Sequence, residues 1–291
     1  MDFRTDLALE RYDFLGDEAL SGVEKYVGES EKTKVTEIRV TNEEGEKALG
    51  KRCGRYITVE VPPFSSDGEL LDGRLDALVD SFKSVIPKEG TVLVAGLGNR
   101  SMTADALGPE CADRIFVTRH IGSELAAALG LENLRSVAAF APGVLGKTGI
   151  EASELISGVA SVVKPSCIIA VDALAAMDLK RLGNTVQISD TGISPGSGVG
   201  NKRKEISDRT LGVPVIAVGV PTVISAYTVA QNVIEESKAD VDISDSSRYA
   251  EYIVASREAD LITERASRLI SLAVNIALQP SLSPEEIMTM A

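Results

Sequence analysis

Apolar positions in this chain follow two rhythms. Val35-Thr36-Glu37-Ile38-Arg39-Val40 and Tyr56-Ile57-Thr58-Val59-Glu60-Val61 alternate with period two, the mark of half-buried strands. Asn42-Glu43-Glu44-Gly45 supplies turn chemistry between them and Pro62-Pro63 ends the second run, so residues 33–63 are predicted to form a β-hairpin extension at a sheet edge. Further on, short β-branched runs alternate with glycine loops and helical periodicity. Strands are predicted at 91–96, 136–140, 167–172 and 214–220. Helices are predicted at 71–86, 104–116, 151–163, 227–237 and 248–278, with a short helical patch at 18–27. In the longest, Leu261, Ile262, Ala266, Leu269, Ile270 and Leu272 share one face. This alternation predicts an α/β fold, a mostly parallel sheet flanked by helices with the hairpin as an extension. No internal repeat or long linker interrupts it, so one domain is expected.

Composition narrows the function. With 291 residues, 44% of them hydrophobic and 25% charged, the chain is of ordinary globular make-up. Its net charge of −13 argues against direct contact with nucleic acid, which needs clustered Lys and Arg. Tryptophan is absent and aromatics are 4%, so a base-stacking platform is not expected either. Cys53, Cys111 and Cys167 are far apart and form no C-x-x-C pair, which favours a reducing compartment over a disulfide framework. Residues 1–6 lack a basic start followed by an apolar stretch, and no apolar run reaches a membrane-spanning length. A cytoplasmic protein without a membrane partner is the expectation.

Candidate chemistry centres on a repeated tripeptide. Asp105-Ala106-Leu107 follows the apolar run 91–96 and its glycine turn, and Asp172-Ala173-Leu174 ends the run 167–172. In open α/β sheets ligands bind beyond the carboxyl ends of the strands, so two carboxylates meeting there could share a proton and activate water. The plain alternative is that each Asp caps the helix that follows. Gly96-Leu97-Gly98 invites a dinucleotide reading, but Ser101 stands where a third glycine is required. Ala141-Pro142-Gly143-Val144-Leu145-Gly146-Lys147-Thr148 departs from a phosphate loop at its first position, and Pro142 removes a donor; a shaped loop beside a site fits better. Thr191 to Lys202 is the most glycine-rich stretch, a substrate-binding or oxyanion loop or else a surface loop; Gly196, Gly198, Gly200 and Lys202 are its candidate donors. His120, the single histidine, rules out a three-histidine zinc site and reads as structural, although one His with two carboxylates stays open.

These segments, taken in order, resemble the germination protease family of spore-forming bacteria. Arg4-Thr5-Asp6-Leu7-Ala8, Val94 to Asn99, Asp105-Ala106-Leu107-Gly108-Pro109 and Ala141-Pro142-Gly143-Val144 carry the likeness. So do Thr148-Gly149-Ile150-Glu151, Val171-Asp172-Ala173-Leu174, Thr191-Gly192-Ile193 through Asn201, and Gly219-Val220-Pro221-Thr222. The resemblance implies an endopeptidase of atypical aspartic type that degrades small acid-soluble spore proteins during germination, a homotetramer of the spore core that needs no cofactor or metal. It implies Asp105 and Asp172 as the catalytic pair, and a fold similar to that of hydrogenase maturation proteases. It also implies a zymogen that cuts itself after an acidic residue and before an apolar one. Asp6-Leu7 fits that rule, making residues 1–6 a prosegment and 7–291 the peptidase domain. At Ser225 the family pattern leads one to expect aspartate. Two other readings remain: a metal-dependent peptidase using Asp105, Asp172 and His120 or Glu110, and a nucleotide-binding regulator using the Gly143–Thr148 loop.

Overall fold

The computed structural model describes residues 5–16, 20–30, 32–128, 131, 133–200, 203–239, 241 and 243–290. Helix α1 (Ala8–Leu15) precedes β1 (Val23–Ser30), β2 (Thr33–Val40), α2 (Glu43–Leu49) and β3 (Gly54–Glu60). Next come α3 (Gly73–Val85), β4 (Val92–Gly96), α4 (Leu107–Asp113), α5 (Ser123–Ala128), β5 (Val137–Phe140), α6 (Leu145–Thr148) and α7 (Ala152–Val163). The chain continues through β6 (Cys167–Ala176), β7 (Thr185–Ser189), α8 (Asp208–Leu211), β8 (Val215–Ser225) and α9 (Ala226–Ser237). It ends with β9 (Ile253–Ala255), α10 (Ala259–Leu278) and α11 (Pro284–Met290).

All the strands join one sheet in the order β1-β2-β3-β7-β8-β6-β4-β5, with β9 added to β8. The β8-β6-β4-β5 part is parallel, and the rest pairs antiparallel. The parallel strands are apolar on both faces because helices cover both. Val92, Val94, Ile169, Val171, Ile216 and Val218 face the core shared with α3, α4 and α10. Their neighbours Leu93, Ala95, Ile168, Ala170 and Val215 face α7 through Ile156. A third, smaller cluster packs Ala8, Leu9 and Tyr12 of α1 against Ile38, Val40 and Tyr56 of the antiparallel wing.

The expected pairing of β2 with β3 is present, but these strands are not a free hairpin: β1 and β7 flank them on either side. Asn42 begins a helix rather than a tight turn, its side chain accepting the Gly45 N–H at the start of α2. The helical patch expected at 18–27 is instead β1 from Val23, with residues 17–19 outside the described set. The helix expected at 104–116 begins with a tight turn at Thr103–Asp105 before α4. The long helix expected from 248 starts only at Ala259, because Ile253–Ala255 adds to the edge of β8 at Val223–Ser225. Strand β7, absent from the sequence reading, completes the sheet between β3 and β8.

Candidate active site

Strand β4 lies between β5 and β6, so the chain leaves it in one direction and returns on its other side. Such a switch point opens a crevice at the carboxyl ends of the strands. Asp105 stands in the turn after β4, and Asp172 lies on β6 as that strand passes Gly219 of β8. Both line one cavity of ≈ 370 Å³, together with Gly143, Val144 and Gly196. The two aspartates expected from the sequence therefore meet in one cavity.

The two carboxylates are held differently. Asp105 accepts the Asn99 N–H on Oδ2 at 2.9 Å, and the same N–H lies 2.9 Å from its carbonyl oxygen. This closure needs Gly98: its φ is +111°, and a Cβ there would sit 2.1 Å from the Asp105 carbonyl oxygen. The glycine turn after β4 thus closes on a carboxylate. Burial pushes the Asp105 carboxyl up from its ordinary value, and the Asn99 N–H opposes the rise. Asp172 is only 5% exposed and accepts the Ala173 N–H at 3.0 Å. Burial raises its carboxyl well above the ordinary range, and the charges of Asp105 and Asp6 add to the rise.

Asp6 and Glu151 also line the cavity. Asp6 is tied to β6 at Ala175: Asp6 N–H donates to the Ala175 carbonyl at 3.1 Å, and Ala175 N–H donates back to Asp6 Oδ2 at 2.9 Å. Ser197 Oγ donates to Oδ1 at 2.7 Å. Gly198 gives the space for this, since a Cβ there would lie 2.3 Å from Asp6 Oδ2. Gly196 lines the cavity, Gly200 closes the following turn at a φ of 74°, and Lys202 lies outside the described residues. Leu7 is fully buried. Buried Glu10 anchors α1, accepting the Thr5 hydroxyl, Met177 N–H at 2.8 Å and Asp178 N–H at 2.9 Å. Burial raises the Glu10 carboxyl, opposed by these bonds and by the Arg181 charge.

The germination protease family model matches residues 8–237. The chain belongs to the germination protease family. Among its relatives, the germination protease of Caldanaerobacter subterraneus subsp. tengcongensis is 40% identical over 98% of this chain and 97% of its own length. That of Clostridium tetani is 38% identical over 99% and 98%, and that of Priestia megaterium 43% over 80% and 66%. Among solved structures, the hydrogenase maturation protease HycI of Thermococcus kodakarensis KOD1 matches 68% of this chain and 98% of its own. That match has 18% identity and a TM-score of 0.40. The chain is accordingly a protease, with protein as its substrate class.

Several family-segment residues have structural work. Ser225 begins α9, accepting the Thr228 N–H at 3.1 Å; an aspartate in that position would cap the same helix. Lys147 of the glycine loop donates to Ser101 Oγ at 2.5 Å, and Thr148 Oγ1 donates to the Ile150 carbonyl at 3.0 Å, so local bonds occupy both groups. The loop borders the aspartates through Gly143, Val144 and Leu145. Glu110 pairs with Arg114, and exposed His120 does not line the cavity. Among the described residues, no three His, Cys, Asp or Glu side chains converge as metal ligands. No helix among them is long and apolar enough to cross a membrane. Neither Lys51 nor Gln187 stands out in the sequence as a site residue, whereas Ser197 lies within the expected 191–202 loop. Of the first two, only Gln187 leaves a trace in the sequence, as a lone amide between Val186 and Ile188.

Proposed function

We propose that this chain is an endopeptidase that begins the degradation of small acid-soluble spore proteins during germination, with Asp105 and Asp172 activating water. The convergence of these two side chains in one cavity carries the reading. Two carboxyls with raised affinity for protons titrate as a unit, so one is ionised while the other keeps its proton. The ionised member takes a proton from water. The protonated member supplies one to the departing amine.

The chain is made as a zymogen in this reading, with residues 1–6 as prosegment and 7–291 as a single peptidase domain. Support comes from Asp6, which lies in the cavity with its carboxylate on Ser197 and Ala175, as the acidic residue before a cut bond would lie. The Gly196–Gly200 turn is then the substrate-binding element, with Lys202 beside it in sequence. The working form is a homotetramer in the cytoplasm of the spore core, with no cofactor.

Incubation with a purified small acid-soluble spore protein, read by mass spectrometry, tests the substrate. The expected result is discrete fragments whose new ends follow acidic residues; an intact substrate after complete self-processing refutes the assignment. N-terminal sequencing of the matured chain is expected to begin at Leu7, and light scattering to give four copies.

A further inference from the structure

Two side chains hold the Asp6 carbonyl oxygen. Lys51 Nζ donates to it at 2.7 Å and Gln187 Nε2 at 3.0 Å. Gln187 Oε1 accepts the Ala8 N–H at 2.7 Å, which fixes the amide with its nitrogen toward Asp6. The Leu7 N–H is turned back onto Thr5 Oγ1 at 3.0 Å. The peptide group between Asp6 and Leu7 is thus gripped at its oxygen by an ammonium and an amide.

The opposite flank carries the acids. Asp172 on β6, Gly219 on β8 and Gln187 on β7 stand in one row of strand register. Side chains in one row project to the same face, and two strand spacings put the outer two about 10 Å apart. Gly219 adds no side chain between them. Asp6 lines both the cavity of Asp105 and Asp172 and the adjoining one of ≈ 350 Å³ that holds Lys51 and Gln187. Lys51 is drawn down to about 8 by burial, against the pull of the Asp6 charge, so at neutral pH most molecules keep its proton to donate.

We propose that Lys51 and Gln187 form the oxyanion clamp of this peptidase, holding the scissile carbonyl oxygen while the aspartate pair works from the other side. The inference rests on reading Asp6–Leu7 as the processing bond. Water oxygen bonds to the Asp6 carbonyl carbon as the ionised carboxylate takes one water proton. The C=O electron pair moves onto the oxygen held by Lys51 and Gln187. Collapse breaks the C–N bond, and the other carboxyl gives its proton to the Leu7 nitrogen. One proton remains on the pair, and a substrate segment laid in the groove after residues 1–6 depart meets the same clamp.

The test follows self-processing of the full chain by mass spectrometry in wild type, Lys51→Met, Lys51→Arg and Gln187→Glu. Gln187→Glu is isosteric and keeps an acceptor for the Ala8 N–H, while replacing the donor to Asp6 with a carboxylate oxygen beside Lys51. The expected result is a wild-type product beginning at Leu7, with Lys51→Met and Gln187→Glu each slowed by about 10²–10³-fold at unchanged Tm. Lys51→Arg, which keeps a cationic donor, is expected to stay within about tenfold of wild type. Processing of Lys51→Met or Gln187→Glu within threefold of wild type overturns the clamp. Should Lys51→Met fail to fold, Gln187→Glu decides alone. A wild-type product beginning elsewhere refutes the processing bond, and the clamp is then judged on hydrolysis of a purified small acid-soluble spore protein. Equal kcat in wild type and Gln187→Glu overturns it, and a loss of about 10²-fold sustains it.

Discussion

Gly108 is the point at which the helix after Asp105 touches the strands that carry the site. A Cβ there would lie 2.2 Å from the Leu97 carbonyl oxygen, 2.4 Å from that of Val171 and 2.5 Å from Leu97 N. All three are backbone atoms, and Leu97 N–H donates to the Val171 carbonyl at 2.7 Å, so none can swing aside as a side chain would. Restoring ordinary contact requires α4 to retreat by about 1 Å. Overpacking of this kind costs about 1–3 kcal/mol, a few degrees of Tm in a chain of this size. The turn bearing Asp105 retreats with the helix, whereas Asp172 is fixed in β6. A displacement of about 1 Å between catalytic groups costs on the order of 10²-fold in rate. Gly108→Ala is therefore expected to lose far more activity than stability. Gly158→Ala serves as control: that glycine is mid-helix in α7 with nothing within 4 Å, so the change should add about 0.5–1 kcal/mol and leave the rate alone. Differential scanning fluorimetry and peptide hydrolysis read both variants. A Gly108→Ala enzyme with wild-type rate would refute the claim that this contact sets the aspartate geometry.

Because burial raises the Asp172 carboxyl, its ionised form opposes folding: the group favours the native state below its unfolded pKa, and that advantage is lost as pH rises through its folded value. Asp172→Asn should thus melt higher than wild type near pH 7, with the gap narrowing toward pH 4; a gap independent of pH would contradict it. Arg74 is fully buried, with its guanidinium on Asp72, Asp67 and the Glu69 carbonyl. Arg74→Met should cost about 3–5 kcal/mol in urea unfolding, and a loss under 1 would be inconsistent with a buried, paired charge. Asn275 accepts the Phe116 N–H at 2.9 Å and donates to the Arg114 carbonyl at 2.9 Å. Asn275→Leu should cost about 1–3 kcal/mol for each backbone group left unpaired, and unchanged stability would show that water replaces it.

The parallel half of the fold is legible because its strands are apolar on both faces, as in Val92–Gly96, which a glycine turn follows, and 167–171, which Pro165 precedes. The antiparallel half was harder. Strand β7 is only Thr-Val-Gln-Ile-Ser, and its pairing with β3 and β8 is decided by contacts distant in sequence. The stretch 18–27 reads as helical because Glu24 and Lys25 resemble the polar face of a helix, whereas pairing with β2 settles the part from Val23 as strand. Asp105 and Asp172 could be found because one follows and the other ends a readable apolar run. Lys51 and Gln187 could not: one follows α2 in the wing and the other lies in the overlooked strand, and only folding brings them to Asp6.

The most direct measurement is the hydrolysis rate of one acidic-site peptide by Asp105→Asn, Asp172→Asn and the double variant. Groups that act as a unit fail together. Each single substitution is expected to lower kcat by about 10³-fold or more, and the double variant to fall little further. A single variant that keeps kcat within a few fold of wild type would contradict the aspartate pair.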